Sequence, residues 1–176
     1  MSCQAILKPQ YQAYLDLWIP ELESGRWPKG IGFLTRNDDE PRLCGHCCLG
    51  VLCELAVANP KLFMPMSWDD SLIGCRTYTP YGGVPADQVL PEPLRQQIGF
   101  ATAVGTFALA DMPTQLQAAI CTAIAEEYDY DDDIPETTLA LVNDNTEDFK
   151  LVIEILKFRP VSLFMSEAIE RIVTAA

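Results

Sequence analysis

The sequence predicts an α+β fold, predominantly helical with a small β element, in a single domain over residues 1–176. Three observations predict it. Apolar residues recur at helical spacing in several separate segments. Glycine- and proline-rich stretches between them flank short runs suited to strands. And 176 residues, 49 % of them hydrophobic, suffice to bury a real core.

The first helix is predicted over Pro9–Glu23, where Tyr11, Tyr14, Leu15, Trp18 and Leu22 form one stripe. Pro20 should kink its last turn, and Ser24-Gly25 should end it, with Gly25 suited to a left-handed cap. Arg26 to Gly30 reads as a loop leading into a short strand, Ile31–Thr35, and Asn37–Pro41 as a polar turn. A cysteine-rich helix follows and ends near Asn59-Pro60. Its residues Cys48, Val51, Leu52 and Leu55 share a face. Lys61–Trp68 reads as irregular, Ser71–Tyr78 as a strand and Thr79–Pro85 as a turn. Short helices are expected after Pro85 and after Pro91, the second carrying Leu94 and Ile98.

Gly99–Ala110 fits strand and helix equally. Met112–Tyr128 is predicted helical, capped by Asp111, with Leu116, Ala119, Ile120, Ala123 and Ile124 as its stripe. Residues 128–135 form an acidic loop, which lacks the glycine and the final glutamate of a calcium loop. A short helix is expected over Glu136–Val142. Another should start at Asn145 or Thr146 and bury Phe149, Val152, Ile153 and Leu156. Residues 160–176 are expected as a C-terminal helical extension, mainly Ser162–Val173.

Composition narrows the partners. The net charge is −13, and the span Glu126–Asp148 holds ten acids and no base. Such acidity argues against direct binding to nucleic acid or to an anionic membrane surface. No apolar run approaches the length of a membrane span, and no signal peptide is visible, so a cytoplasmic location is expected. Seven cysteines, an odd number, then imply free thiols.

Two places could carry chemistry. Arg26, Trp27, Lys29, Gly30 and Arg36 combine cations, a flat aromatic ring and freed backbone N–H groups, which suits a phosphate or carboxylate. The competing reading is a solvated turn. Cys44, His46, Cys47 and Cys48 could ligate zinc, but no second ligand pair follows at the usual spacing. Buried thiols are therefore preferred to a metal, and no cofactor is implied. His46 is the only histidine and adjoins Cys47 in sequence, an arrangement unlike a nucleophile and its base.

Three blocks together carry a resemblance: Leu22–Gly30, reading L-E-S-G-R-W-P-K-G; Cys47–Cys53, reading C-C-L-G-V-L-C; and Leu141–Ile153, which opens L-V-N-D-N-T-E-D-F. The pattern resembles a family of small uncharacterised proteins of tailed phages and prophages. These join an S-G-x-[YW] helix end, a C-C-L-G-V-L-C block and an L-N-D-type helix start. This chain departs from the pattern at Val142, at Asn145-Thr146 where glycine is usual, around Cys44–His46, and loosely over Val84–Gly99. The resemblance implies a phage or phage-derived protein in a host bacterial cytoplasm and supplies no activity. The reading that follows is a non-enzymatic accessory protein that binds a host factor through Glu126–Asp148. The alternatives are a binder of a small anionic ligand such as a nucleotide signal, and a cysteine-based metalloprotein.

Overall fold

A computed structural model describes residues 2–36, 45–70, 74–125 and 136–175. At its centre is the helix α2, Cys48–Ala58, defined after β1 (Ser2–Leu7), α1 (Pro9–Glu23), β2 (Thr35–Arg36) and β3 (Gly45–His46). Cys48 through Cys53, Leu55 and Ala56 are all buried. A helix apolar on every side must be wrapped by other elements. It packs against α1, β3 and β4 (Met66–Asp70), and the chain continues through β5 (Arg76–Pro80), α3 (Glu92–Ile98), β6 (Thr106–Ala108) and α4 (Thr114–Ile124). Then come β7 (Glu136–Thr138), α5 (Leu139–Asp144), which also packs on α2, α6 (Lys150–Phe158) and β8 (Ile169–Ala175).

Among the described residues the strands form four antiparallel pairs: β1 with β8, β2 with β3, β4 with β5 and β6 with β7. Helix and strand are thus mixed throughout an α+β fold, and the β structure is dispersed rather than one small element. One cluster of buried residues runs from Ala5 to Ala168 and draws on nearly every element.

The first helix has the predicted ends, and Leu15, Trp18 and Leu22 are its buried stripe. Trp18 donates its indole N–H to the Cys48 carbonyl at 3.0 Å, which ties α1 to the first turn of α2. The helices at Cys48–Ala58 and after Pro91 also stand where expected, with Leu94 and Ile98 buried.

Several expectations are corrected. Of the expected 160–176 extension, residue 176 lies outside the described residues, and residues 160–175 are not α-helical. They form short 3-10 turns and then β8, which pairs with β1 from Ser2↔Ala175 to Leu7↔Ile169. Ile169, Ile172, Val173 and Thr174 are β-branched, and an available partner strand lets that preference win. Before it, Leu163, Phe164 and Ala168 are core residues.

No helix follows Pro85, because Ala86 exchanges both backbone hydrogen bonds with Tyr78, at 2.8 and 2.9 Å. Met66–Trp68 is strand rather than irregular chain, paired with β5. The strand expected at Ile31–Thr35 shrinks to Thr35–Arg36. Asp111 does not cap α4. Its carboxylate accepts from the Ser162 N–H at 2.8 Å and from the Ser162 hydroxyl at 2.6 Å. Glu136–Thr138 is strand, Thr138 caps α5 through the Leu141 N–H at 3.0 Å, and α6 starts at Lys150 rather than near Asn145. The acidic loop 128–135 and the turn Asn37–Pro41 lie outside the described residues.

Candidate functional site

Three stretches far apart in sequence meet at the side chain of Asn143, which is fully buried. Its amide oxygen accepts from the Cys48 N–H at 3.1 Å. Its amide nitrogen donates to the Gly30 carbonyl at 3.0 Å and to Asp144 Oδ1 at 3.0 Å. Asp144 Oδ2 in turn accepts from the Gly32 N–H at 3.1 Å. The start of α2, the glycine loop and the end of α5 are thus fastened together. The Gly30–Gly32 backbone is held by these side chains instead of entering a strand.

The same loop is stitched to β3. His46 donates its N–H to the Pro28 carbonyl at 2.8 Å and accepts from the Gly30 N–H at 2.8 Å. The two chains cross so closely that a Cβ on Gly30 would lie 2.7 Å from the Gly45 backbone. Gly30 is therefore a packing residue rather than part of an anion cradle.

This clasp supports a groove of 680 Å³. Its walls are Leu22 and Glu23 at the end of α1, Gly25, Trp27 and Lys29 in the loop, and Glu147 to Lys150, Ile153, Glu154 and Lys157 along α6. Its size is that of a ligand site, ~300–1,000 Å³. Phe149 and Ile153 are almost fully buried floor residues. Trp27 is fixed by donating its indole N–H to Glu21 at 3.0 Å and by edge contact with the His46 ring at 4.9 Å.

Lys29 is half-buried in this wall, and burial pulls its ammonium pKa down while Asp144 pulls it up. The other two predicted cations do not join it. Arg26 pairs with Glu21 and stands 5.2 Å over the Trp27 ring, and Arg36 lies in β2 with its guanidinium 5.6 Å over the Phe33 ring. Of the five residues singled out in the sequence, Trp27 and Lys29 line this groove, and the wall opposite them has no counterpart in that set. The sequence pattern places Phe149 and Ile153 only on a helix stripe. The signal for Asn143 was there in the L-V-N-D block, as a polar residue at the end of an apolar run.

A second polar construction lies behind Trp27. Glu54, on α2, accepts from the Tyr78 hydroxyl at 2.7 Å and is ion-paired with Arg76. The Tyr78 and Thr35 hydroxyls are 2.6 Å apart, and Thr35 Oγ1 is 2.8 Å from His46 Nδ1. Proton counting fixes the directions. Tyr78 spends its proton on the Glu54 carboxylate, so Thr35 donates to Tyr78, and His46 must supply an Nδ1–H to Thr35. His46 therefore holds the Nδ1–H tautomer. Burial lowers its pKa, Glu54 raises it and Arg76 lowers it. The Arg76 guanidinium closes the chain, 3.6 Å over the Trp68 ring.

Of the possible metal set, Cys44 lies outside the described residues. The other members have separate tasks. His46 serves the Thr35 chain, Cys47 Sγ accepts from the Gly50 N–H at 3.4 Å as the cap of α2, and Cys48 Sγ faces the Leu139 carbonyl at 3.8 Å. Burial pushes the Cys48 and Cys53 thiols up, which keeps them protonated. Among the described residues no group of three His, Cys, Asp or Glu side chains is placed to hold a metal ion. Nor is any described helix long and apolar enough to cross a membrane. Compared with protein-family models, curated proteins and solved structures, the chain matches none.

Proposed function

We propose that this chain is a non-enzymatic accessory protein, phage or phage-derived, that binds a host protein in the bacterial cytoplasm through the groove between the Trp27 loop and α6. The observation that carries the reading is the groove itself: an apolar floor of Leu22, Phe149 and Ile153 beside a braced indole, rimmed by charges. Apolar concavities with a few fixed polar groups are where ligands and partner segments bind. The resemblance supports the same place, because two of its three blocks line the groove and the third anchors them through Asn143. Glu147 and Asp148, from the acidic span, stand on the rim.

The test is photo-crosslinking in a bacterial host, with benzoylphenylalanine at exposed rim position Glu147. A discrete adduct is expected, lost in Trp27→Ala and in the exposed double reversal Glu154→Lys/Lys157→Glu, both verified as folded by thermal melt. The same probe at Tyr81, which is 88 % exposed and outside the groove, should give none. An adduct unchanged by both groove variants would overturn the proposal.

A further inference from the structure

The lysines of the groove are not equivalent. Lys157 pairs with Glu23 at 2.7 Å, and Lys150 with Asp148 at 2.7 Å. Among the described residues no carboxylate stands within ion-pair distance of Lys29. Asp144, the strongest acidic influence on it, has its two oxygens engaged by the Asn143 amide and the Gly32 N–H. Lys29 is also the cation short of water, being half-buried between the loop and the start of α6. A half-buried ammonium beside apolar walls is best completed by an anion that arrives with the ligand.

The charge count limits that anion. The groove is lined by three lysines and four acids, Glu23, Glu147, Asp148 and Glu154. A nucleotide or other polyanion would meet a net negative lining, whereas one carboxylate needs only Lys29. Apolar surface on Trp27, Leu22, Phe149 and Ile153 calls for an apolar group attached close to that carboxylate. The acidic rim favours basic residues farther along the ligand. Resting on the groove reading above, we infer that the groove takes the C-terminus of an extended peptide, with its free carboxylate on Lys29 Nζ and an apolar last side chain against Trp27 and Phe149.

The experiment uses the full chain and N-terminally fluorescein-labelled octapeptide pools ending in Leu, as free acid and as C-terminal amide. Anisotropy titrations should show the free acid binding at least about tenfold more tightly than the amide. Lys29→Met should bring that ratio near one without shifting the melting temperature, and Lys29→Arg should retain it. Equal binding of acid and amide by the unaltered chain would overturn the inference. Loss of both forms in Trp27→Ala would then leave the groove standing as a docking site. No saturable binding of either pool would also overturn it, as would saturation by 4-phenylbutyrate alone, which assigns the site to small carboxylates. The crosslinking result is independent of all these outcomes, so failure of the carboxylate assignment and failure of the groove are separable.

Discussion

At the scale of single residues, the most constrained group is His46. The chain from Glu54 through Tyr78 and Thr35 leaves its Nδ1 a donor and its Nε2 the only position that can take a proton. Burial holds its pKa below the ordinary histidine value. The sign of the pH dependence follows. Above the unfolded-state value, ~6.5, both folded and unfolded histidine are neutral and the native state is favoured in full. As pH falls from there toward the lower folded value, the unfolded chain takes up a proton first, and stability drops. The urea midpoint is therefore expected to fall between pH 7.5 and 5.5. Most of that fall should vanish in His46→Gln, which cannot titrate. Parallel curves for the two proteins would assign the dependence to the carboxylates instead.

At the scale of elements, sequence was most informative where local pattern and packing agree. Pro9–Glu23 could be read because its stripe, its glycine stop and its burial all say the same thing. The last segment could not, since Ile169–Ala175 is strand only because Ser2–Leu7 lies beside it, a partner at the other end of the chain. In the site, Trp27 and Lys29 were visible from composition, but α6 as the facing wall was not, because only tertiary contact brings them together. Gly50 is a further case. Its spacing in the cysteine helix carries no sign of this, yet a Cβ there would sit 1.6 Å from the Leu34 carbonyl oxygen. The backbone before β2 lies directly on α2 at that point, and Cys47 donates its N–H to the same carbonyl at 3.1 Å. Gly50→Ala should therefore cost at least about 3 kcal/mol, the upper range of overpacking, although alanine is the better helix former. An unchanged chemical-denaturation midpoint would show that the two elements can part without loss.

At the scale of the whole molecule, the balance lies between a shared core and a lopsided charge. The core ties both ends of the chain together, since Ala5 and Ala168 are each fully buried in it. The chain carries 25 acids against 12 bases, a net charge of −13. The pairs Lys150–Asp148 and Lys157–Glu23 are exposed, and exposed pairs contribute little, ~0–1 kcal/mol each. Compaction therefore gathers unbalanced negative charge, and self-repulsion opposes folding. Salt should relieve this, because the screening length shrinks from tens of ångströms at low ionic strength to about 8 Å at 0.15 M. Raising sodium chloride from about 10 mM to about 150 mM is expected to stabilise the protein by about 1 kcal/mol, or about 2–4 °C in melting temperature. Potassium chloride should act equally, since the effect is screening and not a bound ion. A melting temperature that falls with salt would mean that attractive pairs outweigh the repulsion. The acidic surface would then be a stabilising network rather than charge held at a cost and available to a basic partner segment.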